Sequence, residues 1–452
     1  MPRLDATDLT RLDRYPFVVV SWVGDDRYPV SVATTFETDP ERHEVILRES
    51  AGDAVAIPTD REVNVIGSHI RPTPGQGYDE RRYVQLWGRA GLPSGGRVTF
   101  SPTRAWGWDE AEMPFFEYSE RSVPQSRRYL ELLSAAAGRR IRPRLSLGWL
   151  ALRTTRLPFL SATIIPVLLG ILIALRHGEF NIWLAVLTVV GGSLAHLAIN
   201  VTNDIFDTLS GADAANLNPT QFSGGSRVLI YDLLTLRQLV AVALVLFGGA
   251  AAIGLLLVWL TGSLTLLLIG IAGIAVGIAY TAPPLKLVYR GLGEIAVAIG
   301  FGPIMLLGAY VVQTGRLALE PFVVSITVGI LVALILYVNE IPDRTGDAVA
   351  GKRTLPVRLR PATITSGYLV AAIVAFAVIV VGVAGGILPW PTLLALAAVP
   401  LALRIHTGIR QHYNSPYTLM AVMGTNVNLN LIVGGLLLGG YAASLVAAAL
   451  LR

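Results

Sequence analysis

The chain has 452 residues, of which 53% are hydrophobic and 15% are charged, and its mean hydropathy is +0.57. Soluble domains carry about 25% charged residues, so this composition excludes an ordinary soluble enzyme and a disordered protein. The absence of cysteine excludes disulfides, thiolate metal sites and cysteine nucleophiles. The net charge of +5 comes without a basic stripe interleaved with aromatic residues, so we expect no nucleic-acid partner.

The charged residues are concentrated at one end of the chain. Residues 1–150 contain 20 of the 36 Lys and Arg residues and 21 of the 31 acidic residues. The remaining 302 residues carry few charges, and we predict that they form an integral membrane domain, called the membrane body below. We predict three regions: a β-rich domain over 1–125, a helical basic linker over 126–156 and a membrane domain over 157–452.

The first region contains short runs rich in Val, Ile, Thr and aromatic residues, which predict strands. Glycine, aspartate and proline separate these runs, and residues 23–29 (VGDDRYP) predict a hairpin turn. Many short strands at close spacing favour a barrel or a sandwich. Residues 126–140 predict an amphipathic helix that ends at Gly138. The predicted strands cover 15–23, 28–36, 44–50, 53–59, 63–70, 83–90 and 96–106.

The membrane body contains nine apolar segments, most of them about as long as the 20 residues that cross the hydrocarbon core. We therefore predict an all-α polytopic bundle of nine transmembrane helices behind a β-rich, barrel-like soluble domain. Basic residues before the first segment, Arg142 and Arg144 among them, and in alternate loops place the N-terminal domain and those loops in the cytoplasm. The start of the chain lacks the apolar region of a signal peptide, so we expect the N-terminal domain to stay in the cytoplasm. The apolar segments that follow predict a multi-pass protein of the cell membrane. The segments lie near 157–175, 181–203, 238–260, 263–281, 292–313, 320–341, 365–388, 391–404 and 427–450.

Six of the ten acidic residues of the membrane body fall in two matched groups. Each group begins with an asparagine and lies at the predicted cytoplasmic end of a helix, the second and the sixth. Spacings of i, i+4 and i+7 place Asn200, Asp204 and Asp207 on one helix face, and spacings of i, i+4 and i+8 do the same for Asn339, Asp343 and Asp347. Pro342 can bend the second of these helix ends without destroying the alignment. The first group contains Asn200, Asn203, Asp204, Asp207 and Asp213, and the second contains Asn339, Glu340, Asp343 and Asp347.

Carboxylates at a membrane boundary repel one another unless cations balance them. Oxygen ligands without cysteine or a histidine pair suit Mg²⁺, which bridges carboxylates to phosphate groups. Two facing acidic groups therefore predict a clamp for a diphosphate. The glycines of FSGGS (222–226) offer backbone N–H groups to phosphate oxygens. Candidate cations for the diphosphate are Arg227, Lys286, Arg290, Lys352 and Arg353.

Several of these residues also have plainer structural roles. A single aspartate at a helix end is commonly a solvated cap, but two matched groups are poorly explained by capping. His196, inside the second segment, is interpreted as a packed or hydrogen-bonded core histidine. Arg153 and Arg156 are interpreted as anchors at the membrane interface.

These motifs resemble the UbiA superfamily of intramembrane prenyltransferases. NDIFDTLSGAD (203–213), FSGGSRVL (222–229) and NEIPDRTGDAVAGKRTLPVRL (339–359) are similar to the 1,4-dihydroxy-2-naphthoate branch of menaquinone synthesis, and the resemblance covers roughly residues 145–450. The loop TAPPLK (281–286) departs from that branch and is closer to others, and the N-terminal domain is an addition.

The resemblance implies a Mg²⁺-dependent transfer of a polyprenyl group from polyprenyl diphosphate to an aromatic acceptor within the lipid bilayer. Asn200, Asn203, Asp204, Asp207 and Asp213 would hold metal on one side, and Asn339, Asp343 and Asp347 on the other. The four aspartates Asp204, Asp207, Asp343 and Asp347 would act in catalysis, and Tyr280 would place the diphosphate or the acceptor.

Two questions stay open. The N-terminal domain resembles the flavin-binding split barrel of pyridoxamine-phosphate-oxidase-like proteins, and both a flavin and a barrel without cofactor fit its sequence. The membrane domain could also prenylate another acceptor class (glycerol phosphate, a chlorin or a haem), or could be an ion-coupled transporter. Transporter sites commonly lie at the midplane on broken helices, whereas these acids lie at helix ends, which favours the enzyme.

Overall fold

The computed structural model describes residues 9–48, 56–73, 77–141, 145–216, 218–220 and 222–450. The chain divides into two compact units, Met1–Ser126 and Arg127–Arg452. Parts of two predicted strands (49–50 and 53–55) and the basic residues Arg142 and Arg144 lie outside the described residues.

The first unit contains a 3-10 turn (Leu9–Arg14) and a seven-stranded sheet in which every pairing is antiparallel. The strand order is β2-β1-β5-β6-β7-β4-β3, and the sheet forms a half-barrel. This result confirms the β-rich, barrel-like domain, although the described part of the predicted strand 53–59 is not a strand. The strands are β1 Val18–Val23, β2 Pro29–Thr34, β3 Phe36–Asp39, β4 Glu44–Arg48, β5 Val63–Thr73, β6 Gly77–Ala90 and β7 Arg97–Asp109.

Alternating residues of these strands form the core of the unit, because successive side chains point to opposite faces of a sheet. Val18 and Val20 of β1 and Val63 and Val65 of β5 are fully buried. The predicted hairpin joins β1 to β2, and its turn is closed by Gly24 N–H, which donates to the carbonyl oxygen of Tyr28 at 2.8 Å.

Helix α1 spans Phe115–Ala137 and ends before Gly138, whose φ is 62°. It begins eleven residues before the predicted start at 126 because its first turns pack on the sheet. The Arg81 guanidinium lies 4.2 Å from the centre of the Phe115 ring, and the rings of Trp108 and Tyr118 are 4.5 Å apart. Such contacts stabilise a helix that sequence periodicity alone does not reveal.

The second unit is helical. Short 3-10 segments occur at Leu157–Leu160, Leu287–Arg290 and Trp390–Ala398, and a π-helical turn at Gly300–Ile304 joins α8 to α9. The helices are α2 Leu147–Thr155, α3 Ser161–Arg176, α4 Ile182–Leu209, α5 Ala212–Ala215, α6 Leu236–Thr261, α7 Leu264–Thr281, α8 Gly293–Ile299, α9 Met305–Thr314, α10 Leu319–Val349, α11 Leu355–Arg358, α12 Pro361–Ala384, α13 Val399–His412 and α14 Pro416–Leu450.

Eight helical stretches of the described chain are long and apolar enough to cross a membrane. All nine predicted segments are helical, but the first one forms α3, whose 16 residues fall short of that length. The polytopic helical bundle is therefore confirmed, and the count of nine spans is not.

Helix α10 lies at the centre of the bundle, since 72% of its apolar stretch is buried in protein, against 11% for α6 and α7. Glycines allow the π-helical turn to approach it closely. A Cβ atom added to Gly302 would lie 2.5 Å from the carbonyl oxygen of Ser325, and one added to Gly329 would lie 2.3 Å from that of Ala298. Small residues at such crossings are typical of membrane helices.

Candidate active site

The first acidic group lies where α4 ends. The helix continues to Leu209, so Asp204 and Asp207 share a face, as the spacing predicts. Asp204 accepts hydrogen bonds from both the backbone N–H and the hydroxyl of Ser226. Asp207 accepts one from the Tyr289 hydroxyl, at 2.9 Å. Both aspartates are buried, and their hydrogen-bond donors are protein groups.

The second acidic group lies at the end of α10, which continues through Pro342 to Val349. Asp343 accepts hydrogen bonds from the side-chain amide of Asn216 at 2.7 Å and from the backbone N–H of Gly224 at 2.9 Å. Both donors belong to the segment between α5 and α6. This segment therefore ties the end of α10 to the chain that follows α4.

Lys352 joins the two groups directly. Its Nζ lies 3.2 Å from Oδ2 of Asp207 on α4 and 3.8 Å from Oδ1 of Asp347 on α10. The ends of α4 and α10 therefore meet on the same side of the bundle, as the diphosphate clamp requires.

The segment 222–228 folds against these carboxylates through left-handed backbone conformations. Gly224, Gly225 and Arg227 have φ values of 77°, 71° and 56°. A Cβ atom added to Gly225 would lie 2.7 Å from Oδ1 of Asp204 and 2.9 Å from both carboxylate oxygens of Asp213. Only glycine fits this position, because the backbone is left-handed there and the adjacent carboxylates leave no room for a Cβ atom.

Negative charge is in excess at this end of the bundle. Burial, together with the carboxylates of Asp207 and Asp204, raises the pKa of Asp213 to about 8. Burial alone would lower the pKa of Lys352, but the carboxylates of Asp207 and Asp347 raise it above its ordinary value. Both shifts indicate a place where further positive charge would be bound favourably.

A cavity of about 570 Å³ extends from the acidic groups into the bundle. Thr188 and Asp207 of α4 both line it, and at 1.5 Å per residue they are about 28 Å apart along the helix. The acidic end is polar, and the remaining wall is built mostly from apolar residues of α6, α7 and α9. Leu255 and Ile271 line the cavity and are more than half exposed on the apolar flank of the bundle.

Of the five predicted phosphate-binding cations, only Lys352 is among the described residues that line the cavity. Arg290 and Arg353 are exposed. The Arg227 guanidinium donates to the backbone carbonyl oxygens of Asp213 and Asn216, which orders the segment. Lys286 lies with its Nζ 5.1 Å from the centre of the Tyr289 ring, next to the site.

Other predicted residues are found near the acidic end. Asn200, Asn203, Asn339 and Tyr280 line the cavity, but Asp204 lies behind the segment that it anchors. His196 is buried and hydrogen-bonded to Thr163 at 2.8 Å, which confirms its interpretation as a core histidine.

Three contributors to the site were missed by sequence reasoning. Tyr289 and Asn216 hold Asp207 and Asp343, yet no local spacing links them to these aspartates. Arg156 was interpreted as an interfacial anchor, but it lines the cavity and donates to the carbonyl oxygen of Phe222 at 3.1 Å. Its position just before an apolar segment gave no signal of this role.

The donors at the acidic end fit Mg²⁺. Oδ1 of Asn203 and Oδ1 of Asn339 are buried oxygens that accept no hydrogen bond from the described residues. No three acidic or histidine side chains of the described chain converge closely enough to hold an ion by themselves. A ligand set completed by asparagine oxygens, water and phosphate oxygens is the kind that Mg²⁺ commonly adopts.

The family match decides the class of this protein. Residues 163–425, more than half of the chain, match the model of the UbiA prenyltransferase family. The chain belongs to the UbiA prenyltransferase family. It is therefore a prenyltransferase and, with its apolar helices, a multi-pass membrane protein. The recognition made from its motifs is confirmed.

Two curated relatives are similar along most of their length. The 2-carboxy-1,4-naphthoquinone phytyltransferase of Synechocystis is 29% identical, over 65% of this chain and 92% of its own. The 1,4-dihydroxy-2-naphthoate octaprenyltransferase of Bacillus subtilis is 28% identical, over 66% and 94%. A solved UbiA homologue from Archaeoglobus fulgidus, bound to DMAPP and Mg²⁺, has 12% identity and a TM-score of 0.44 over 64% of this chain and 98% of that one, too weak a likeness to bear on the site.

The N-terminal domain lies outside the family match, which begins at residue 163. The flavin considered for this domain is not supported by these similarities.

Proposed function

We propose that this prenyltransferase moves a polyprenyl group from polyprenyl diphosphate to an aromatic acceptor of the dihydroxynaphthoate type, with Mg²⁺, in membrane quinone synthesis. The observation that carries the proposal is the position of Lys352 between Asp207 and Asp347, at the polar end of a long apolar cavity. The names of the two relatives, a phytyltransferase and an octaprenyltransferase of naphthalene-derived acceptors, support this substrate class.

Different residues of the cavity have different roles in the proposed reaction. The aspartates and asparagines that line the cavity would hold Mg²⁺, which would supply charge neutralisation to the departing diphosphate, whereas Asp204 anchors the segment that covers it. Lys352 neutralises the diphosphate from the protein side, and the apolar cavity accommodates the prenyl chain and excludes water from the reacting carbon. The allylic C–O bond breaks and a C–C bond to the ring forms. Diphosphate leaves, with either the ring proton or, from a carboxylated acceptor, carbon dioxide.

The location of the reaction is also a proposal. The basic residues near the acidic ends of the helices support an active site on the cytoplasmic side of the cell membrane. The exposed cavity residues Leu255 and Ile271 support entry of the prenyl chain from the lipid phase.

The test is incubation of the purified protein with Mg²⁺, labelled polyprenyl diphosphate and a panel of aromatic acceptors. We expect a prenylated naphthol product, its loss in EDTA and its recovery with added Mg²⁺. Asp343→Asn places an amide against the donors of Asn216 and Gly224, so transfer should fall at least about 100-fold while the protein stays folded. Full transfer in EDTA or by this variant would contradict the proposal.

The transporter considered from the sequence is not supported, because the chain belongs to a prenyltransferase family. Helices α4 and α10 run without a break through their acidic groups, whereas transporter sites commonly form where helices unwind near the midplane. A prenyltransferase for glycerol phosphate, chlorin or haem would share the diphosphate site, and the acceptor panel distinguishes these.

A further inference from the structure

One buried acid in the cavity has no role in the mechanism above. Glu340 lies on α10, lines the cavity and is 5% exposed. Neither of its carboxyl oxygens accepts a hydrogen bond from an N–H or hydroxyl group of the described residues, and its one hydrogen-bond partner among them is the carboxyl group of Glu294. Two buried carboxyl groups that pair only with each other leave oxygen lone pairs without donors, which costs free energy that a bound molecule supplying donors would recover.

The surroundings of Glu340 indicate which kind of molecule this is. Its partner Glu294 lies at the start of α8, and Oε1 of Glu294 likewise accepts no hydrogen bond from an N–H or hydroxyl group of the described residues. Tyr280 and Lys352 lie within electrostatic range. Two carboxyl groups repel a diphosphate, so the ligand of Glu340 is a neutral or weakly charged group that donates hydrogen bonds.

The position along α10 also separates Glu340 from the diphosphate. Glu340 lies three residues before Asp343, which is about 4.5 Å deeper into the bundle at 1.5 Å per residue. The cavity continues on this side toward its apolar part. A group held here would therefore lie beyond the diphosphate, at the level where the prenyl chain begins.

We propose that Glu340, backed by Glu294, forms the acceptor subsite. The lone pairs of its carboxyl oxygens that meet no protein N–H or hydroxyl group accept hydrogen bonds from the ring hydroxyl groups of the aromatic acceptor and hold the ring beside the allylic carbon. This inference rests on the proposed function and assigns the residue that selects hydroxylated rings. A site built to bind hydroxyl groups discriminates strongly against analogues that lack them, because its own polar atoms are then left unpaired.

The test compares 1,4-dihydroxy-2-naphthoate with a methyl ether of it that lacks one ring hydroxyl group. We expect the unmodified protein to favour the hydroxyl compound about 10- to 100-fold in kcat/KM. In Glu340→Leu this preference should fall to about threefold or less, while KM for polyprenyl diphosphate stays within about threefold. Glu340→Gln, of the same shape, should keep the fold and show an intermediate preference.

A second measurement needs no turnover. Calorimetry without Mg²⁺ and without diphosphate should show that Glu340→Leu binds the dihydroxynaphthoate at least about tenfold more weakly. The matched control is Glu320→Gln, because Glu320 is a buried acid of the same helix with partners of its own in Arg176 and His177. This control should leave acceptor binding unchanged.

The outcomes separate the two proposals. An unchanged hydroxyl preference in both Glu340 variants, or a raised KM for polyprenyl diphosphate with acceptor binding unaltered, would refute the acceptor subsite alone. Failure of the unmodified protein to prenylate any aromatic acceptor would refute the proposed function and this inference together.

Discussion

Replacing Gly225 with alanine tests whether the segment after α5 shapes the active site. The new Cβ atom would lie 2.7–2.9 Å from carboxylate oxygens of Asp204 and Asp213, whereas an ordinary contact needs about 3.4 Å. The carboxylates or the segment must therefore move by about 0.5–0.7 Å. Displacements approaching 1 Å cost catalysis up to about 100-fold, so we expect a loss of kcat between about 10- and 100-fold.

The control for Gly225→Ala is Gly315→Ala. Gly315 also has a positive φ, 68°, but a Cβ atom there would meet nothing within 4 Å. Both variants suffer the left-handed backbone cost of about 1–2 kcal/mol, which lowers Tm by a few degrees. Only Gly225→Ala should lose activity. The assays are thermal unfolding in detergent and prenyl transfer at saturating substrates. If both variants lost stability equally and both kept activity within about threefold, our assignment of the segment to the active site would be refuted.

Three further changes have distinct expected results. Lys352→Met should raise KM for polyprenyl diphosphate and lower kcat at least about 100-fold in steady-state assays, because Asp207 and the diphosphate lose their shared cation. Tyr289→Phe removes one donor to Asp207 and should lower kcat about tenfold or less with unchanged acceptor KM. Glu320→Gln weakens a buried pairing with Arg176 and should lower Tm without changing kcat; a lower kcat would contradict its purely structural role.

The helices of the membrane body were largely predictable because hydrocarbon imposes long apolar segments. The error at α14 has a clear cause. This helix begins at Pro416, eleven residues before the predicted start at 427, through a stretch with several polar residues. Asn426 donates to the carbonyl oxygen of Leu334 and accepts from the Tyr368 hydroxyl, so its polar side chain is satisfied inside the bundle. Hydropathy alone cannot identify such pairings.

The acidic faces of the active site were predictable because the chain is regular there. Helical periodicity placed Asp204 with Asp207 and Asp343 with Asp347, because a continuing helix fixes which residues share a face. It could not show that Asn216 would reach Asp343, since that contact depends on how a non-helical segment folds. The conformation of loops and of short 3-10 segments depends on tertiary contacts that have no sequence period, and the missed residues lie in such segments.

The charge balance at the acidic end bears on the order in which ligands bind. Lys352 and Arg156 are the two cations among the residues that line the cavity in the described chain. A diphosphate without metal adds several negative charges to a group of aspartates whose mutual repulsion already helps raise the pKa of Asp213 to about 8. Bound Mg²⁺ would reverse the sign of this interaction, because each ion held by the carboxylates would add two positive charges to the site. We therefore expect metal and diphosphate each to strengthen the binding of the other. Diphosphate without metal should bind weakly, because the aspartates repel it.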